Sequence, residues 1–136
     1  MRRAWLAALL LAGCTGIYYE DFTVDSREAA YSPREQFEDL KRYALERGLH
    51  VTGESEGFVR FQLDQANSLE MRLDPDRVEL TLVRRSSGQG FSESETREFQ
   101  NRLEERLRER GRIVRVRLVG QRERPLSNVT FPGGFP

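Results

Sequence analysis

From Leu49 to Arg85, apolar and polar residues alternate with hardly a break. Turn formers divide the run at Gly53–Gly57, at Asp64–Asn67 and at Asp74-Pro75-Asp76. The pieces between them are Leu49–Gly53, Phe58–Asp64, Ser68–Leu73 and Arg77–Arg84. Val59, Phe61 and Leu63 fall on one side; so do Leu69, Met71 and Leu73, and then Val78, Leu80 and Leu82. A period of two with one apolar side predicts an antiparallel meander with one buried and one wet face. Whatever else the chain forms must cover the apolar face.

Two helices are available for that. Ser32-Pro33-Arg34-Glu35 is a capping box with proline at the first helical position. Phe37, Leu40, Tyr43, Ala44 and Leu45 follow at helical spacing, and Gly48 ends the segment as a left-handed cap. Ser92-Glu93-Ser94-Glu95 is a second capping box. Its helix runs to about Arg110, carries Phe99, Leu103 and Leu107 in one row, and is capped by Gly111. Glu98/Arg102 and Glu104/Arg108 are spaced as i,i+4 ion pairs on its wet side. A strand over Arg112–Val119 follows, with Val114, Val116 and Leu118 inward.

The predicted fold is α+β: a two-layer sandwich, with an antiparallel sheet of about four to six strands and two helices on one face. The chain divides into a leader over 1–13, a tether over 14–31, an α+β domain over 32–119 and a Pro/Gly-rich tail over 120–136. The tether holds Ile17, Tyr18, Tyr19, Phe22 and Val24 among acids, which leaves room for an edge strand at about Tyr18–Val24. In the tail, Val129, Phe131 and Phe135 are candidates for docking. Tyr31-Ser32-x-x-Glu35 and Phe91-Ser92-x-x-Glu95 each lead through a helix to Glu-Arg-Gly and a strand. Shared capping chemistry explains that echo, and a duplicated β-α-β unit is the other reading.

At the start, Arg2 and Arg3 precede a nine-residue apolar run, Ala4–Ala12. A spanning helix needs about 20 such residues, so the run suits the core of a secretory signal. It closes on Leu11-Ala12-Gly13-Cys14. This resembles the lipobox of bacterial lipoproteins, in which small residues precede an obligatory cysteine. The resemblance implies that the Cys14 thiol takes a diacylglyceryl group and that the leader is cut before it. In many bacteria the new amine is also acylated. Each buried methylene adds about 0.8 kcal/mol, and two acyl chains hold a protein stably on a bilayer. Where the family carries an inner-membrane retention aspartate, this chain has Thr15, which implies the outer membrane, facing the periplasm. An ordinary cleaved signal with a chance cysteine and an uncleaved apolar helix are the competing readings.

Cys14 is the only cysteine, so no disulfide can form within the chain. The 22 basic and 22 acidic residues balance, but unevenly along the chain. Thr15–Val83 holds 8 basic and 15 acidic residues, whereas Arg84–Pro136 holds 12 and 7. That balance and an exported location disfavour a nucleic-acid partner.

The wet face of the sheet carries the main candidate site. Arg60, Arg72, Arg115 and Arg117 can grip carboxylates or phosphates in bidentate fashion, with Phe58 and Ile113 as apolar contacts. A solvated face with cross-strand ion pairs is the plainer reading. Arg84–Gly90 runs into a helix N-terminus, where phosphate loops sit, but it lacks G-K-[ST] and glutamates follow it, so it reads as a flexible connection. His50 is the only histidine and has no visible partner for acid–base or metal chemistry. Glu54 and Glu56 share a turn with no apolar setting, and Ser86, Ser87, Ser92 and Ser94 lack a neighbouring base. Asn128-Val129-Thr130 matches a glycosylation pattern that means nothing in a bacterial lipoprotein. The charged run Arg97–Arg112 reads as a solvated helix side, or as a surface for anionic lipid heads or an acidic protein. The sequence therefore predicts a non-enzymatic accessory or adaptor, held on the membrane by lipid on Cys14 and binding a protein or envelope partner. A small-ligand or anion binder using the sheet arginines is the alternative. No cofactor or metal is expected.

Overall fold

A computed structural model describes residues 16–125. The elements in order are β1 (Gly16–Ser26), α1 (Pro33–Glu46), β2 (His50–Ser55), β3 (Phe58–Gln62), β4 (Asn67–Leu73), β5 (Val78–Ser86), α2 (Glu93–Glu109) and β6 (Val114–Pro125). All six strands form one antiparallel sheet in the order β2-β3-β4-β5-β1-β6. Helix α1 lies over β4 and β5, and α2 lies along β6. The α+β sandwich expected from the sequence is the observed fold.

The alternating run behaves as its pattern dictates. Val59, Phe61, Leu69, Met71, Val78, Leu80 and Leu82 are buried beneath the helices. From above, Phe37, Leu40 and Ala44 of α1 and Leu103 and Leu107 of α2 complete the core. The Phe22 and Phe99 rings meet at 4.9 Å, tilted by 52°, and join β1 to α2. Burying each of these large side chains stabilises the fold by about 1.5–3 kcal/mol.

Both helices end on a glycine at φ +77°, Gly48 and Gly111, a conformation that side chains disfavour. Their starts differ. At Ser92 the capping box is complete: the Ser92 N–H donates to Glu95 at 3.0 Å, and the Glu95 N–H donates to Ser92 Oγ at 3.2 Å. At Ser32 only the second of these bonds forms, also at 3.2 Å. The Glu35 carboxylate lies 3.6 Å from Arg112, on the neighbouring loop. Just before this helix Tyr31 is buried, its hydroxyl donating to Asp39 at 2.7 Å. Burial first, then that bond, pushes the phenol above its ordinary range.

Two boundaries differ from the sequence reading. The 14–31 segment is not a tether with an edge strand, because Gly16–Ser26 is a strand lying between β5 and β6. Phe22 and Val24 are buried among the core residues, and on the other face Thr23 is buried between Glu79 and Arg117 while Tyr19 and Asp21 are half-buried. The last strand also continues past Val119 to Pro125, because β1 offers it partners as far as Gly16. Among the described residues the sheet thus takes in Gly16–Ser26 and runs to Pro125, beyond the 32–119 expected. The leader, Cys14, the Asn128-Val129-Thr130 pattern and the apolar tail residues lie outside the described residues.

Candidate functional site

The face of the sheet turned away from the helices is ordered in rows that follow from the strand register. One row reads Phe58, Arg72, Glu79, Thr23, Arg117 across β3, β4, β5, β1 and β6. The next reads Arg60, Glu70, Thr81, Asp21, Gly120. The third reads Gln62, Ser68, Val83, Tyr19, Arg122. Arg115 stands opposite Asp25 at one end, and Arg85, Ile17 and Arg124 align at the other.

The expected binding residues do share this face, but not one cluster. Arg72 and Arg117 sit in the same row with two strands between them, which sets their backbones about 14 Å apart. Arg60 donates to Glu70 at 3.1 Å, and Arg117 to Asp25 at 2.9 Å. Arg72 and Arg60 lie 5.5 and 5.6 Å from the centroid of Phe58, so this ring is covered by cations. Arg115 is exposed and makes no ion pair among the described residues. Ile113, 72% exposed, precedes β6 and is the most open of the large apolar residues described. The cross-strand ion pairs of the plainer reading are therefore present, and Arg72 and Arg115 are the members of the predicted set outside them.

Sequence reasoning missed the centre of the face. Asp21 accepts two bonds from Arg122, at 2.8 and 3.0 Å, and one from the Thr81 hydroxyl at 2.8 Å. The Arg122 guanidinium lies 4.5 Å from the Tyr19 ring centroid. With Arg72, Arg77 and Arg117, these residues line a shallow depression of about 840 Å³. Arg122 faces this way because the register slips between Asp21 and Phe22, where Val119 is left without a partner. Gly120, inside a run read as tail, was the one available signal of that bulge. Exposed ion pairs contribute about 0–1 kcal/mol each, so a partner could exchange them at small cost.

A second polar cluster lies on the helix side of the sheet. Glu20 is 1% exposed, yet its carboxyl group accepts from Thr96 Oγ1 and from Gln121 Nε2, each at 2.5 Å. Beside it, Arg84 donates to Asn67 at 2.8 Å, to the Gly90 carbonyl at 3.0 Å and to Glu95 through two nitrogens. The Phe91 ring centroid lies 4.5 Å from this guanidinium. That bond from Arg84, and next the Ser92 N–H, hold the Glu95 carboxyl at about 2. The arginine at the base of the Arg84–Gly90 segment is thus occupied by Glu95 and bonded to the segment's far end at Gly90. Gly90 is required here because a Cβ would come within 2.8 Å of the Tyr18 ring.

His50 is exposed at the start of β2, opposite Gln62. Glu54 pairs with Lys41 across to α1, and Ser86 accepts from the Gly88 and Gln89 amides, a turn role. Among the described residues there is no group of three His, Cys, Asp or Glu side chains able to hold a metal. Among them, too, no helix is long and apolar enough to cross a membrane. No protein-family model matches the chain, and comparison with curated proteins finds no match.

Proposed function

We propose that the chain is a lipoprotein of the bacterial envelope, acylated on Cys14 and serving as a non-enzymatic adaptor in the periplasm. The observation that carries this reading is a junction. The lipobox-like Leu11-Ala12-Gly13-Cys14 ends two residues before Gly16, where the described strand opens. A processed chain would begin almost at the first strand, with its lipid beside it. The outer sheet face is then the surface offered to a protein or envelope partner. Arg72 and Arg115 supply guanidiniums outside the described ion pairs, and the Asp21–Arg122 pair supplies groups for exchange.

Two experiments test this. Cys14→Ala should move the protein out of the membrane fraction and abolish labelling by radioactive fatty acid. Unchanged membrane association without label in the wild type would contradict the anchor. For the face, in-cell crosslinking should capture partners that are lost when Arg60, Arg72, Arg115 and Arg117 are all changed to Gln. A crosslinking pattern that survives would remove the face as the contact surface.

A second reading, a binder of small anions, is favoured by the arginine-lined depression. Calorimetric titration with inorganic phosphate or a dicarboxylate separates the two. Saturable heat that vanishes in Arg72→Gln/Arg117→Gln supports the anion reading, and no heat supports the adaptor.

A further inference from the structure

We infer that the end of the sheet bearing Arg85, Ile17 and Arg124 is a contact site for anionic phospholipid headgroups. The inference rests on Cys14 being the lipid attachment point. The residues come from three strands in register: Ile17 in β1 faces Arg85 in β5 on one side and Arg124 in β6 on the other. Cys14 is two residues before Gly16, so its Cα stays within about 7.6 Å of the Gly16 Cα whatever path the chain takes. Acyl chains on that cysteine bring this end of the sheet to the headgroup layer. Arg85 and Arg124 are then within about a Debye length, roughly 10 Å, of the lipid surface.

The charges along the outer face change in the matching direction. The two rows nearest Gly16 hold Arg85, Arg124 and Arg122 and no acid. The rows beyond them bring in Asp21, Glu70, Glu79 and Asp25. Arg122 is held by Asp21, whereas Arg85 and Arg124 are exposed and form no ion pair among the described residues. Glu123 lies at the same end but on the opposite face, opposite Tyr18. Arginines next to a membrane anchor attract anionic headgroups, each strengthening attachment several-fold. The domain therefore stands with its Gly16 end on the bilayer. The Arg72–Arg117 row is held further out, where a partner reaches it.

The test uses acylated protein extracted from bacterial membranes and placed in vesicles of phosphatidylcholine, with or without phosphatidylglycerol. Since the only native cysteine is Cys14, Gly88→Cys or Ile113→Cys accepts a single fluorophore. Gly88 is an exposed site with open space around it, near Ser86 at the Gly16 end, whereas Ile113 precedes the opposite end of β6. A headgroup-bound quencher should quench the Gly88 label more strongly when phosphatidylglycerol is present, and leave the Ile113 label unchanged. Arg85→Gln/Arg124→Gln should remove that gain, and Arg72→Gln/Arg117→Gln should keep it. No phosphatidylglycerol dependence, or equal loss in both pairs, overturns the inference. Mass spectrometry of the same protein reads the acyl group separately. If Cys14 is unmodified the anchor reading fails, and co-sedimentation of the chain with the same vesicles still decides the headgroup site. Arg85→Gln/Arg124→Gln should then weaken phosphatidylglycerol-dependent binding about thirty-fold, and an unchanged affinity overturns the site.

Discussion

Glu20 is the residue least expected from its surroundings: a carboxyl group in the core, satisfied by one hydroxyl and one amide. Both donors come from other elements, Thr96 from α2 and Gln121 from β6, so Glu20 ties three elements together. Thr96→Val keeps the shape but removes the donor to one carboxyl oxygen. Urea unfolding should show a loss of about 1–3 kcal/mol, and an unchanged midpoint would contradict the role given to this bond. Arg84 and Glu95 make a different prediction. The Glu95 carboxyl lies below its ordinary 4.5, at about 2, chiefly because Arg84 donates to it. A depressed carboxyl pKa stabilises the fold above pH 4.5, and that contribution is lost as the pH falls through about 2. Glu95 is exposed, so solvent screening keeps the effect to about 1 kcal/mol or less. Glu95→Gln should flatten the stability-against-pH curve across that window. A curve as steep as the wild type's would mean that other carboxyl groups set the acid response.

Edge protection is an element-scale matter. β6 closes one side of the sheet, and its outward backbone groups at Val116 are taken by α2. Gln100 donates to the Val116 carbonyl at 2.9 Å, and Glu104 accepts from the Val116 N–H at 2.8 Å. Glu104 therefore serves the strand and not the Arg108 ion pair expected from helical spacing. Gln100→Ala/Glu104→Ala should expose the edge and cause concentration-dependent association in sedimentation velocity. A variant that stays as monodisperse as the wild type would contradict this. In the loop before α2, Gly90→Ala should cost about 1–3 kcal/mol by forcing Tyr18 of β1 to move, whereas Gly88→Ala has space and should cost little. Thermal unfolding of the two variants compares them directly. The elements that the sequence reveals are those whose physics is local. The β3–β5 alternation and the serine and glycine caps each act within a few residues. Strand β1 was obscured because Glu20 places an acid on its buried side, satisfied only by residues 76 and 101 positions away. Arg122 was hidden by a bulge whose one local mark is Gly120. The outer-face arginines were legible from period two, but which carboxylate takes which arginine depends on β1 lying beside β6.

For the whole molecule, that strand order resolves the charge asymmetry of the sequence. The acidic first part and the arginine-rich second part are stitched together, Asp21 with Arg122 and Asp25 with Arg117 on the sheet. Glu46 of α1 likewise holds Arg106 and Arg110 at the end of α2. The arginine-rich helix is thus partly engaged within the fold. The same topology bears on the proposed anchor. With β1 in the sheet, a lipid on Cys14, as proposed above, would be one residue, Thr15, away from the first strand and not at the far end of a tether over 14–31. Acylation of Cys14 is the central proposal, and intact-mass spectrometry of protein extracted from bacterial membranes tests it directly. The predicted result is a chain that begins at Cys14 and carries a diacylglyceryl group. A chain that begins elsewhere, or an unmodified Cys14 thiol, would contradict it.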